Sequence, residues 1–336
     1  MTALSGDFEG RKVIVTGGAG FIGSALVRQL CNLGADVHVI DNLVNGKAEN
    51  LEGVGCTLHK IDIRDVDTIA SIFKNADIVF HLACLGVRHS IHEPFENHEV
   101  NASATLALLH MARNHNVGRF IYTSTSEVYG TAKTVPMDEL HPTFPMTVYG
   151  ASKLAGECYT RAFWETYQYP TTVIRPFNAY GPRCHHEGDS GEVIPKFMLR
   201  TMAGKGMVVF GDGSQTRDFT YVEDTAKGLA AAALSERAIG ETINIGYGSE
   251  ITILDLAQEI AALFGKNTPD IEFYDQRPGD VLRLYAKTDK AQDLIGFEPE
   301  VSFTEGLKRL KGWYEEQEIS EDELLEEERV QNWIKA

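Results

Sequence analysis

Short apolar runs alternate along this chain with longer stretches in which apolar residues recur three and four positions apart. KVIVT (12–16) has an unbroken apolar centre, Val13-Ile14-Val15, as a strand buried on both faces requires. Residues 21–33 then carry apolar residues at helical spacing. Residues 37–40 and 58–61 predict second and third strands. ADIVFHL (76–82) predicts a fourth, RFIYT (119–123) a fifth and TTVIR (171–175) a sixth. Helical patterns over 97–116 and 149–168 separate the later strands. Strand, helix, strand at this rhythm predicts an α/β fold with a doubly wound parallel sheet. After Pro176 the texture changes, and Gly, Pro, Asp and Ser punctuate residues 181–213. A smaller C-terminal α/β part that binds substrate is expected there. The predicted division is 1–176 for the sheet, 177–316 for the substrate part with some segments returning to the core, and 317–336 for an acidic terminal helix. No long linker divides the chain, and it has no internal repeat.

The first strand runs straight into Gly17-Gly18-Ala19-Gly20-Phe21-Ile22-Gly23, which opens the first helix. The segment satisfies G-x-G-x-x-G through Gly18, Gly20 and Gly23, and G-x-x-G-x-x-G from Gly17. Glycines there allow a tight turn and let the backbone approach a pyrophosphate. The helix N-terminus then offers N–H donors and the positive end of its dipole. Asp41 ends the second strand 18 residues after Gly23. A carboxylate at that place accepts hydrogen bonds from the adenosine ribose and repels a 2′-phosphate, so NAD is predicted over NADP. Asp62, closing the third strand, is expected at the adenine edge, with Asn42, Ile63, Leu82 and Ala83 lining the same groove. The competing reading is a glycine-rich structural turn with ordinary surface acids. The coincidence of strand, turn, helix and acid favours a Rossmann-type dinucleotide site.

A second signal is Tyr149-Gly150-Ala151-Ser152-Lys153. Positions i and i+4 share a helix face, so Tyr149 and Lys153 point the same way. A free phenol titrates near about 10 and is a poor base at neutral pH. A nearby ammonium and the positive nicotinamide ring favour the phenolate, which can take a proton from a hydroxyl while the carbon gives up hydride. The third signal is Ser124-Thr125-Ser126-Glu127, just past the fifth strand, where parallel sheets bind ligands. Extended backbone there would put Thr125 and Glu127 on one face and Ser126 on the other.

Composition narrows the partners. The net charge of −17 argues against general affinity for nucleic acid or anionic membranes. Nine carboxylates and no basic residue fall between Glu315 and Glu328, which reads as a solvated amphipathic helix with Leu324, Leu325 and Trp333 as its apolar contacts. The five cysteines form no C-x-x-C pair or zinc spacing, and such scatter suits a reducing cytoplasm. No apolar signal core and no run of about 18 apolar residues is present, so a cytoplasmic protein without a membrane span is expected. His185 and His186 are adjacent but lack a third ligand, so they are read as solvated and no metal is expected.

Taken together, these motifs resemble the extended short-chain dehydrogenase/reductase family, in its nucleotide-sugar epimerase and dehydratase branch. The resemblance runs from Lys12 to about Trp313. TGGAGFIG (16–23) is similar to that family's cofactor loop and YGASK (149–153) to its catalytic motif. HLAC (81–84) resembles a fourth-strand motif that is usually HLAA. RPFNAYGPR (175–183), GDGSQTRDFTYVED (211–224) and RPGD (277–280) resemble its nucleotide-sugar segments. The resemblance implies that Asn178, Arg217 and Arg277 contact a substrate diphosphate and that Asp280 lies near the nucleotide ribose. It also implies a homodimer built as a four-helix bundle from residues 97–116 and 149–168. Forked guanidiniums suit a buried diphosphate; the competing reading for each arginine alone is a surface ion pair, which two arginines in Gly-rich loops make less natural.

All such enzymes begin by oxidising the sugar at C4, and the sequence leaves the next step open. The expectation is an NAD-dependent 4-epimerase on a UDP-hexose or UDP-hexuronate. A 4,6-dehydratase with Glu127 as base and a UDP-glucuronate decarboxylase are the alternatives, and a non-catalytic NAD-binding regulator is a reading from another class. Glu127 is either catalytic or a structural carboxylate bonded to backbone donors. Arg88, in GVRHS (86–90), is expected near the sugar, where it can meet a hydroxyl or a carboxylate. Ser126 is expected beside it, and Leu284 is expected to line the sugar pocket.

Overall fold

Seven strands form one parallel sheet: β1 (Lys12–Thr16), β2 (Asp36–Asp41), β3 (Thr57–Lys60), β4 (Ile78–His81), β5 (Arg119–Thr123), β6 (Thr171–Pro176) and β7 (Thr242–Ile245). Their order is β7-β6-β5-β4-β1-β2-β3, and every neighbouring pair is parallel. The computed structural model describes residues 7–317, 320–326 and 328–334. The strand order reverses between β1 and β4, and ligands of open α/β sheets bind in the crevice at the carboxyl end of such a switch point.

The apolar runs are explained by burial on both faces. Val13 and Val15 of β1 join one core with Leu26 and Val27, while Ile14 joins the opposite core with Val79 and Phe120. This is the alternation a pleated strand imposes. On the first face lie α1 (Phe21–Asn32) and α5 (Val222–Leu234). On the second lie α2 (Ala104–Asn114) and α3 (Val148–Tyr167). Between α3 and α5 in the chain comes α4 (Val193–Met202), and α6 (Ile253–Leu263) and α7 (Phe303–Glu315) follow. These three pack with the strand pair Met207–Phe210 and Ile271–Tyr274 into a separate apolar core. That is the smaller part after β6, and β7 returns from it to the main sheet. No helix among the described residues is long and apolar enough to cross a membrane.

Two predicted helices differ from expectation. The segment predicted over 97–116 starts earlier, as a helix over Pro94–His98, and passes through a π-helical turn at Glu99–Ser103 before α2. The asparagines around that turn are turned inward. Asn101 bonds both the N–H and the C=O of Leu85, at 2.8 and 2.9 Å, and Asn97 donates to Leu85 and Gly86 carbonyls. Ser152 of α3 completes the cluster. The widened turn thus ties the loop after β4 to the helix that carries Tyr149. The acidic terminus is not one helix either. It forms a short helix, α8 (Glu321–Glu326), and then a non-helical segment to residue 334. Leu325 is buried with Leu324 packed beside it, and Trp333 stacks edge-on with Phe210 at 4.9 Å. The segment is pinned rather than solvated: Glu328 pairs with Arg200 at 3.0 Å and Asn332 donates to the Gly191 carbonyl. Glu318, Ile319, Glu327, Lys335 and Ala336, which fall in the predicted helix, lie outside the described residues.

Candidate active site

One cleft of about 490 Å³ opens at the carboxyl ends of the strands and reaches into the C-terminal part. Gly17, Gly20, Phe21, Ile22 and Gly23 line one end of it, where β1 turns into α1. Gly17 has φ +71°, and a Cβ there would meet the Ala83 backbone nitrogen at 2.6 Å. The loop therefore lies directly on the end of β4 with no room for a side chain. Gly20 caps α1 without a side-chain bond, so the first-turn N–H groups open onto the cleft. Asp41, Asn42, Asp62 and Ile63 line the groove beyond β2 and β3, and Leu82 and Ala83 line its floor. Asp41 is fixed by the N–H groups of Ala19 and Leu43, at 3.0 and 2.9 Å. Burial nevertheless pushes its carboxyl above the usual range. Asp62 is held by the Arg64 guanidinium and by Asn42 at 2.9 Å, which brings it down to about 2. A bare glycine cradle, uncapped helix N–H groups and an oriented carboxylate fit an adenine dinucleotide.

Tyr149, Lys153 and Thr125 all line the cleft. Thr147 caps α3 by accepting from the Gly150 N–H at 3.1 Å, and this fixes where the Tyr149 turn begins. Lys153 is 2 % exposed, donates to the Thr123 carbonyl at 2.6 Å and lies 4.5 Å from the centre of the Tyr122 ring. Burial lowers its pKa, against the pull of Cys84 and Glu157. Burial likewise pushes the Tyr149 phenol well up. Cys84, Glu127 and Glu192 add to that, and the Thr125 hydroxyl works the other way. The expected lowering of the phenol by Lys153 is therefore not what dominates among this chain's own groups.

Ser126 and Glu127 depart from the extended backbone predicted for them. Thr125 is extended, but Ser126–Val128 is a 3₁₀ turn that Thr125 caps, its hydroxyl accepting from the Glu127 N–H at 3.2 Å. The one-face argument for Thr125 and Glu127 fails, yet the turn brings Thr125, Ser126 and Glu127 all into the cleft. Glu127 is not a backbone-bonded structural carboxylate, because its side chain has no hydrogen bond or ion pair among the described residues. Burial raises its pKa, opposed by Arg217, Arg277 and Arg88.

Behind this centre lies a buried ion pair. Glu157, one turn after Lys153, accepts from Arg175 of β6 at 2.8 and 2.7 Å, from Ser124 at 2.6 Å and from Arg161 at 2.9 Å. Burial opposes its charge, but these partners hold its pKa below the usual range. Its stabilisation is present above the unfolded carboxylate value and is lost as pH falls through the lower folded one. Glu157→Gln leaves Arg175 buried without its counter-charge, so a loss of about 3–5 kcal/mol is expected in urea unfolding. A loss under about 1 kcal/mol would show that α3 is not anchored this way.

At the far end, Arg217 and Arg277 converge on Asp280, Arg217 at 2.7 Å. Asp280 is thus a clamp between two guanidiniums, and Arg217 is buried rather than a surface ion pair. Asn178 Oδ1 and Arg88 Nε are buried with no hydrogen-bond partner among the described residues. Burial takes Arg88 down to about 10, with Arg277 adding to it and Glu192, Glu127 and Asp280 opposing. Leu284 does not line the cleft. It is fully buried with Val128, Tyr129 and Met137, because Met137 bonds the chain on both sides of Ala286 and draws this segment under the 3₁₀ turn. His185 and His186 are not solvated. His186 is 7 % exposed against Tyr314, and His185 bonds Glu187 at 3.2 Å, which pairs in turn with Lys47. No cluster of three metal-ligating side chains occurs among the described residues. Cys84 and Glu192 line the cleft without having been marked by any motif chemistry.

A family model described as GDP-mannose 4,6 dehydratase matches residues 14–310. The putative UDP-glucose 4-epimerase of Methanocaldococcus jannaschii is 36% identical over 305 residues, which cover 90% of this chain and 97% of that protein. Among solved structures, the UDP-N-acetylglucosamine 4-epimerase of Methanobrevibacter ruminantium, in complex with UDP-N-acetylmuramic acid, superposes with a TM-score of 0.86. It is 36% identical, with 91% of this chain and 98% of that one covered. The dTDP-glucose 4,6-dehydratase DesIV of Streptomyces venezuelae, solved with NAD bound, gives a TM-score of 0.85 at 32% identity, covering 91% and 97%.

Proposed function

This chain belongs to the GDP-mannose 4,6 dehydratase family, within the nucleotide-sugar epimerase and dehydratase branch of the extended short-chain dehydrogenases/reductases, and from that membership we propose that it is an NAD-dependent nucleotide-sugar 4,6-dehydratase acting through a 4-keto sugar. The reading rests on Glu127: a carboxylate in the cleft beside Tyr149 with no partner of its own. A structural acid would be bonded, whereas this one is only partly buried and faces the cleft unbonded.

The 17–23 loop, Asp41 and Asp62 would hold NAD, which supplies hydride acceptance and return when bound. Arg217 and Arg277, clamped by Asp280, would grip the diphosphate, with Asn178 Oδ1 open to a donor. Tyr149 takes the proton of the C4 hydroxyl, Thr125 bonds the same oxygen, and Lys153 holds positive charge behind the phenol. The ketone at C4 acidifies the hydrogen on C5. Glu127 then takes that proton. Its raised pKa strengthens it as a base, with Arg217, Arg277 and Arg88 opposing the rise. Loss of water from C6 follows.

One observation favours a second reading, the 4-epimerase on a UDP-hexose or UDP-hexuronate. Ser126 stands beside Glu127, so this turn offers no second acid to protonate a leaving hydroxyl, and an epimerase needs none. Arg88 would then meet the sugar's hydroxyl or carboxylate. In either reading the homodimer through α2 and α3 is part of the proposal. It is supported by Leu106 and Tyr167, large side chains left exposed on those helices.

Incubation with a panel of nucleotide-linked hexoses, with products weighed, separates the readings. Loss of water is expected. Unchanged mass with a new sugar means an epimerase, and loss of carbon dioxide from a hexuronate means a decarboxylase. Glu127→Gln should lower water loss by about 10²–10⁴-fold while the 4-keto sugar, trapped by borodeuteride, still forms.

A further inference from the structure

The elimination needs an acid as well as a base, and the turn that supplies Glu127 has only Ser126 to add. Among the described residues, six carboxylates line the cleft. Asp41 and Asp62 lie at the adenosine end, Asp280 is taken by Arg217 and Arg277, and Glu96 pairs with Arg64 and His89. Glu127 is the base. That leaves Glu192.

Glu192 occupies the N-cap position of α4, yet its side chain makes no cap hydrogen bond. It has no hydrogen bond or ion pair through its carboxylate among the described residues. It lines the cleft together with Tyr149 and Glu127, and it lies close enough to Tyr149 to oppose ionisation of the phenol, as Glu127 does. Its backbone is firmly set. The Glu192 N–H donates to the His185 carbonyl at 2.8 Å, and the Gly191 carbonyl accepts from Asn332 at 3.3 Å. Glu187 of the same loop pairs with Lys47, past the end of β2, at 2.9 Å. The loop is therefore tied both to the dinucleotide-binding half and to the C-terminal segment, and it delivers one unbonded carboxyl to the cleft.

We propose that Glu192 is the general acid of this reaction, giving its carboxyl proton to the departing C6 hydroxyl while Glu127 removes the C5 proton. The proposal rests on the elimination reading above. The C5–H bond breaks and its electron pair becomes the C5=C6 bond. The C6–O bond breaks, and the oxygen takes the Glu192 proton and leaves as water. No electron is gained or lost overall, and Glu192 recovers its proton from solvent. Burial supports the assignment by pushing this carboxyl up to about 7, with His185 and Arg88 pulling down and Glu187 pushing up. A carboxyl in that range is substantially protonated at neutral pH, as a donor must be.

The test uses the NAD-loaded enzyme and the nucleotide hexose that loses water with the wild type. Glu192→Gln should lose water about 10²–10⁴-fold more slowly. Trapped 4-keto sugar and deuterium exchange at C5 should persist, since Tyr149 and Glu127 are untouched. With a 6-deoxy-6-fluoro analogue, whose fluoride leaves without a proton, the variant should recover to within about tenfold of wild type. Water loss at the wild-type rate in Glu192→Gln would overturn the proposal, and so would an equal defect on the fluoro analogue. If the wild type removes water from no hexose, the elimination reading itself fails, whatever the variant does.

Discussion

Tyr149→Phe is expected to stop turnover while leaving the protein folded and able to hold NAD. On the proposed mechanism the phenol oxygen takes the C4 proton, and phenylalanine keeps the ring that fills the space. The expected loss is about 10⁴-fold, the upper end of what a positioned acid–base group contributes. Nothing nearby substitutes for it. Lys153 is turned onto the Thr123 carbonyl, and Thr125 Oγ1 already accepts from the Glu127 N–H. Burial and the neighbouring Cys84, Glu127 and Glu192 all raise the phenol's pKa, so formation of the trapped 4-keto sugar by the wild type should rise with pH, while water loss, which also needs the Glu192 proton, should fall again above neutrality. The variant should show no such rise. Product formation measured against pH, with NAD released by denaturation and quantified, checks both halves. Retained turnover in Tyr149→Phe would sink the mechanism.

The same residues show how much of the site is legible in the sequence. The parallel sheet was legible because strands buried on both faces carry continuous apolar stretches, as Val13–Val15, Ile78–Phe80, Phe120–Tyr122 and Val173–Ile174 do. The glycine loop and the Tyr149–Lys153 pair were legible because their chemistry is local: one turn, one helix face. What escaped the sequence was set by distant partners. The 3₁₀ turn at Ser126–Val128 depends on a threonine cap that a polar triplet does not advertise. Leu284 follows RPGD closely, yet hydrogen bonds from Met137, far back in the chain, pull it into the core. His186 is buried because α7 lays Tyr314 over it. Glu192 is fixed by Asn332, 141 positions from Gly191, and looks in the sequence like any acid before a helix. Asp280 shows the same limit. The resemblance implied a place near the ribose, and nothing in its chain neighbourhood announced that its carboxylate would bridge two arginines.

The glycine loop carries the second large prediction, because its fit leaves no slack. A Cβ on Gly23 would stand 2.1 Å from the Gly17 carbonyl oxygen and 2.8 Å from Gly18 Cα. Both are backbone atoms, so no side chain can swing aside. Nor can the loop retreat, since Gly17 already lies on the Ala83 backbone. Gly23→Ala must therefore shift the loop against α1, moving the N–H groups that face the cleft. Overpacking of this kind costs about 1–3 kcal/mol of stability. The effect on NAD should be larger relative to its source, because a displacement of about 1 Å spoils several converging donors at once. The Kd for NAD is expected to rise at least about 100-fold, equivalent to about 2.7 kcal/mol. Gly55→Ala is the matched control: nothing lies within 4 Å of a Cβ there, and its φ is not positive. Calorimetric titration of both variants with NAD decides the matter. Wild-type affinity in Gly23→Ala would mean that the dinucleotide does not sit on this loop, and the assignment of the whole cleft would have to be reversed.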